Sequence, residues 1–354
     1  PLELVCDASS TLPTPRAIEG LLVVALGAGA YAHGTSPEGV DGVGAAGMEE
    51  WNAGMRALAA HLFVTAAMLV ATGVKVLIGT LFWEFQFQIV RAIFSGLPSK
   101  TEKERAFKRC APSYIVSYVH AFFLTWAGWR IVTRLERADL AARAFLYDSA
   151  QTDPDFVFFV ELTTLVFFTY VLYDMFHLII EFPDLGGYDM AAHHVGFLIA
   201  AMGAYTYGAY PLVLGWLCTC ETSTPVLSAR WFVRQMKDID YAQPLVDAFA
   251  KAIGMKSRGL VAANRIEYYI AIVFLFVFVL VRNLGYGWAM AGLFRVARAG
   301  DALEVNAAVP ALARHGLCFL TVCGFCLNLM WTHKIVSMAF SEKRRKWLRK
   351  DAEQ

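Results

Sequence analysis

Residues 190–232 decide the reading of the chain. Met190-Ala-Ala-His193-His194-Val-Gly-Phe197 opens one hydrophobic segment. Cys220-Glu221-Thr222-Ser223-Thr224-Pro225 interrupts the next, ahead of Ala229-Arg230-Trp231-Phe232. Ionisable side chains in a hydrocarbon environment are costly, so they face a protein interior or a cavity and mark function. A proline inside a span frees a backbone carbonyl, which Ser and Thr hydroxyls can satisfy. A candidate site therefore lies here.

Working outward, the chain of 354 residues is 57% hydrophobic and only 17% charged, with a mean hydropathy of +0.48. Its charged fraction is below the roughly 25% of an average soluble domain. Several apolar runs approach or exceed the ~20 residues that cross a bilayer. The fold class is all-α, a polytopic transmembrane helical bundle. Partners are membrane lipids. No nucleic-acid motif is present, and the basic residues sit beside spans, where they orient the chain.

The seven cysteines form no disulfide framework, because the count is odd and the spacing irregular. Cys323 and Cys326 lie in an apolar helix without a second pair and read as packing residues. No complete secretory signal is legible. Residues 1–55 form an extension with a short apolar helix and a Gly-rich loop at 33–50. Residues 56–94 read as an extra transmembrane helix, with Lys75 snorkelling or pairing locally with Glu84. Residues 95–345 are the main domain and 346–354 a basic tail.

Within that domain a span over 112–132 begins at Pro112, a residue suited to a first helical turn. The next, 156–181, is entered through Asp153-Pro154-Asp155. It carries Asp174 and His177, three apart and therefore on one helix face, where they can touch. The topology follows from charge. The basic loop 95–111 and the tail with Lys343-Arg344-Arg345-Lys346 both belong on the cytoplasmic side, so an even number of spans lies between them. That condition splits the central stretch into two, 191–208 and 210–235, with Pro211 opening the second. The remaining spans are 265–290 and 308–340, giving six in all. Glu221 to Pro225 then forms a helix break near mid-membrane. Asp174, His177, His193 and His194 all fall at the cytoplasmic end.

The ordered set of Tyr173-Asp174, His193-His194, Glu221-Thr-Ser-Thr-Pro225, Arg230-Trp231, Arg282, and Leu327-Asn328 with Trp331 and Lys334 resembles the TLC-domain family. That family includes the ceramide synthases and the translocating-chain-associated membrane protein. The likeness covers roughly residues 100–345 and is nearest the small members with a Glu-x-Ser-Thr-Pro signature. It implies six helices around a central cavity, in an intracellular membrane, with the endoplasmic reticulum ahead of mitochondrial or other organelle membranes. One departure stands out. Ceramide synthases follow their histidine pair with a run of aspartates, and here that place holds Cys220-Glu221-Thr222-Ser223-Thr224.

Three functional readings follow. The first is a lipid-associated protein that binds or handles a lipid in its cavity, with His177, Glu221, Arg282 and Asn328 as lipid-binding residues. The second is an N-acyltransferase like the ceramide synthases, with acyl-CoA as its one cofactor. There His193 or His194 is the general base, oriented by Asp174 or Glu221. The third is an accessory or structural subunit of a larger membrane complex, since a Gly-rich segment such as 33–50 stays ordered only when something holds it. Whether the chain is an enzyme is left open by these residues. His177, His193, His194 and Asp174 are reasonable metal-ligand types. Histidine-rich di-iron membrane enzymes need many more histidines than one adjacent pair, and no metal is expected.

Overall fold

The computed structural model describes residues 45–147, 153–182, 185–255, 259–299 and 303–339. The chain divides into two compact units, residues 1–75 and 76–354. Most of the N-terminal extension, including the Gly-rich loop, lies outside the described residues.

Helix α1, Ala45–Ser95, runs through the expected extra span and past both of its ends. Lys75 is exposed, and Glu84 bonds to Gln88 and His177 instead. Helix α2, Glu102–Leu135, begins nearly three turns before the expected Pro112. Thr101 is its N-cap: its hydroxyl accepts the Glu104 N–H, and the Glu104 carboxylate accepts the Thr101 N–H at 2.9 Å. This capping box satisfies two donors at the helix start and outweighs the proline signal. Pro112 sits inside the helix. A short helix, α3, Leu140–Ala144, follows. Helix α4, Pro154–Ile180, starts as expected, with Asp153 capping Asp155 and proline in the first turn.

Helix α5, Tyr188–Tyr207, ends at Gly208 with φ 61°, a left-handed C-cap that glycine adopts without a Cβ penalty. Tyr210 is also left-handed, φ 58°, and Pro211 then opens helix α6, Pro211–Thr219. The reversal is pinned by Leu146 N–H to Gly208 C=O and Tyr210 N–H to Ala144 C=O, both 2.8 Å. A 3₁₀ turn, Cys220–Ser223, is the expected break, and α7, Thr224–Met236, continues beyond it with Pro225 in its first turn. After α8, Gln243–Ala252, comes α9, Gly259–Phe278. A π-helical segment, Val279–Gly285, joins α9 to α10, Tyr286–Arg298. Such π segments arise inside α-helices, frequently at functional sites. The short α11, Glu304–Ala308, precedes the last helix, α12, Ala311–Ala339.

Among the described residues, five helical stretches are long and apolar enough to cross a membrane: Val70–Ser95, Glu102–Leu135, Pro154–Ile180, Gly259–Arg298 and Ala311–Ser337. Helix α5 and the broken α6–α7 segment fall outside that set. The polar residues of 189–194 lower the hydropathy of the first, and the 3₁₀ turn shortens the second. The outward faces are apolar: Phe85, Phe158, Phe176, Phe276 and Phe319 are all exposed. An apolar surface this extensive fits lipid, not water. This is an integral membrane protein.

Side-chain contacts fix the direction of each element in 76–354. At one end, Lys108 reaches the Ser95 carbonyl, Arg109 pairs with Glu181, Lys103 with Asp238, Lys237 with Glu267 and Lys334 with Asp189. At the other end, Arg134 pairs with Asp153, and Trp288 donates to Glu136. The elements α2, α4, α5, α6–α7, α9–α10 and α12 therefore alternate in direction. Residues 95–111 and the end of α12 lie at the same end.

Helices α2 and α6 meet backbone to backbone. A Cβ on Gly128 would stand 2.6 Å from the Thr219 nitrogen and 2.8 Å from the Gly215 carbonyl oxygen, so the two backbones touch there. Small residues permit such contact, and helices in lipid associate by this kind of packing.

Candidate functional site

The polar groups meet in a cavity of about 350 Å³ lined by α2, α4, α5, α6–α7, α9 with its π segment, and α12. Asp174, His193, His194, Glu221 and Arg282 all border it. Its lining reaches Leu185, Met190 and Lys334 at the end that holds residues 95–111.

His194 is held at both nitrogens. Nδ1 lies 2.8 Å from the Met190 carbonyl, one turn back on α5, and Nε2 lies 2.7 Å from Asp174 Oδ2. A carbonyl only accepts, so Nδ1 carries a proton and donates. Nε2 then either donates to an ionised Asp174 or accepts from a protonated one. In both cases neither ring nitrogen of His194 has a free lone pair. His194 is thus an oriented group, bonded at both ring nitrogens. His193 is different. Its ring packs on Phe197 at 4.0 Å and Trp331 at 4.9 Å, and no hydrogen bond from the described residues meets it.

Asp174 and His177 share a helix but not a partner. His177 Nε2 bonds Glu84 on α1 at 2.8 Å, and its ring packs against Phe87. It does not line the cavity. Glu84 from α1 holds it instead. Asn328 is buried. It lies on α12 with its amide directed at the Arg282 carbonyl, 3.4 Å away, and serves the irregular π segment. Freed backbone groups in such a segment need partners, and Asn328 supplies one.

Glu221 accepts from the Thr224 hydroxyl at 2.7 Å and stands 3.7 Å from Arg282. It does not meet an imidazole. Arg282 also donates to the Ser223 hydroxyl at 3.0 Å, and its guanidinium lies over Phe278. The 3₁₀ turn and the π segment thus face each other through these side chains. Two irregular pieces of backbone are covered by protein at the point where an interruption is tolerated. Nearby, Glu267 holds both Lys237 at 3.0 Å and Arg230 at 3.7 Å. Arg230 borders the cavity as well.

A second cavity of about 290 Å³ adjoins the first at His193 and Phe197. It is apolar. Ala192, Gly196, Ala200 and Ala204 of α5 form one wall, and Leu317, Leu320 and Leu327 of α12 form another. The α5 residues recur every four positions, a stripe of small side chains on one face.

A TLC-domain family model matches residues 112–337. This chain belongs to the TLC-domain family. No individual curated protein and no solved structure matches it. The TLC match begins inside α2 and ends near the end of α12, so it takes in every element that lines the two cavities. Among the described residues of this TLC protein, no group of three or more His, Cys, Asp or Glu side chains is placed to hold a metal ion.

Sequence reasoning missed one wall of the polar cavity. Ser113, Ser117 and His120 of α2 line it, together with Tyr170 of α4. Their spacing, i, i+4 and i+7, places polar groups on one face of an otherwise apolar helix. That pattern was the available signal. The apolar cavity gave none, since a stripe of alanine and glycine at this spacing also describes ordinary helix packing.

Proposed function

We propose that this TLC-domain protein holds a lipid in its helix bundle. The polar end of the lipid sits among His193, Glu221 and Arg282, and its hydrocarbon chain occupies the apolar slot between α5 and α12. The observation that carries this reading is the junction at His193, where a polar cavity and an apolar one share a wall. An amphipathic ligand needs that combination. The Asp174–His194 pair then fixes the start of α5 and with it the position of His193. An endomembrane location, with the endoplasmic reticulum first, is part of the same proposal.

The test is to purify the full chain in mild detergent and to identify bound lipid by native mass spectrometry. Ala200→Trp should fill the slot and reduce lipid occupancy several-fold. A wild-type chain with no bound lipid, or a variant with unchanged occupancy, would falsify the reading.

One observation favours chemistry as a second reading. His193 borders both cavities, and among the described residues no hydrogen bond occupies its ring nitrogens, which leaves a lone pair for a substrate proton. Acting as an N-acyltransferase, it would take the proton of a lipid amine as that amine attacks an acyl-CoA thioester and the thiolate departs. His193→Ala should then lower turnover by about 10²-fold, the usual scale for a lost general base. Turnover of acyl-CoA that His193→Ala leaves unchanged counts against this role. The accessory-subunit reading draws on residues 1–55, which lie almost wholly outside the described residues.

A further inference from the structure

We propose that His120 is the inner polar contact of the bound lipid, and that the head group it reads is uncharged, a hydroxyl or an amide. The inference rests on the lipid-holding reading above and deepens it. His120 is 1% exposed and borders the polar cavity, yet among the described residues no group bonds either ring nitrogen. Buried polar atoms are nearly always paired, and leaving one unpaired is costly. The ring has little freedom to seek another partner. It stacks on Tyr170 with centroids 3.5 Å apart and meets the edge of Trp83 at 5.7 Å. A phenylalanine could fill this aromatic slot without the cost, so the ring nitrogens themselves have a use.

The charge pattern selects the ligand class. Each cation on the cavity wall already stands beside a carboxylate: Arg282 beside Glu221, Arg230 beside Glu267, Lys334 beside Asp189. Asp174 is engaged by His194. A phosphate head group would have to displace one of these carboxylates. The α2 wall asks for nothing of the kind. Ser113, Ser117 and His120 form a row of neutral hydrogen-bonding groups about 10 Å long, running inward from the end at 95–111. A neutral imidazole offers one donor and one acceptor. A hydroxyl or amide matches either.

The experiment uses the purified full chain, with monooleoylglycerol and oleoyl lysophosphatidate as probes sharing one acyl chain. Wild type should bind monooleoylglycerol more tightly. His120→Phe keeps the aromatic packing and should weaken that binding about tenfold, the scale of one lost hydrogen bond in a buried site. His120→Asn restores an amide and should recover most of the affinity. Neither variant should change the binding of lysophosphatidate. If His120→Phe does not fold, Ser117→Ala and His120→Asn still test the row. Monooleoylglycerol binding that fails in Ala200→Trp but is unchanged in His120→Phe overturns this inference and leaves the lipid-holding reading standing. A preference of wild type for lysophosphatidate overturns it as well. Failure of wild type to bind either probe overturns both.

Discussion

Asp174 shows how a single carboxylate chooses between two histidines. Its spacing to His177 is right for a contact along α4, but the two side chains serve different neighbours. Glu84 of α1 takes His177, and His194 of α5 takes Asp174. Both histidines are largely buried, and a buried imidazole goes to the acceptor that a neighbouring helix brings within reach. Helical spacing alone cannot rank such acceptors. Asp174→Asn and His194→Asn should each lower stability by roughly 1.5–3 kcal/mol, the range for a charge-assisted hydrogen bond. The double variant should be about as stable as the weaker single one, because either change removes the same interaction. Apparent melting temperatures of the four proteins in one detergent check this. Strict additivity of the two losses would show that the pair is not coupled.

Among the elements, α2 and α6 depend on close backbone approach. Gly128→Val places a side chain against the Thr219 nitrogen and Gly215 oxygen, and neither backbone atom can yield as a side chain would. The expected loss is about 1–3 kcal/mol, as for overpacking a filled core. Gly316→Ala on α12 is the control. A Cβ there meets nothing within 4 Å, and helix propensity alone predicts a gain of roughly 0.5–1 kcal/mol. Thermal shifts in opposite directions support the contact between α2 and α6. A Gly128→Val protein as stable as wild type removes it. The helix starts at Pro154 and Pro211 were legible, since proline in a first turn is a local signal. The start of α2 was not, because Pro112 mimicked that signal while the capping box at Thr101 and Glu104 held the true one. The π segment at 279–285 left no mark that composition or periodicity reports.

For the whole molecule, the charge count and the helix directions agree on one arrangement. Basic residues at 95–111 and the end of α12 share one end of the bundle, and Arg134, Glu136 and Asp153 mark the other. Single cysteines placed at 98 and 337, in a background without native cysteines, should react with an impermeant maleimide from the same side of sealed vesicles. A cysteine at 137 should react from the opposite side. Labelling of 98 and 337 from different faces rules out six alternating elements between them.

What the sequence by itself determined was class, order and parity. Each rests on a local or additive quantity: hydropathy summed over a window, prolines at helix starts, lysines and arginines counted along the chain. The family followed from motifs whose order survives in one dimension. The tertiary structure decided which polar group meets which. His194 is saturated and His193 is left facing two cavities, while Glu221 goes to Arg282 and Thr224. His177 bonds Glu84, Asn328 bonds the Arg282 carbonyl, and His120 borders the polar cavity. The physical reason is that burial makes every polar side chain seek a partner, and in a bundle that partner comes from another helix. Helix rotation and packing distance fix the choice, and neither is written at any one position of the chain.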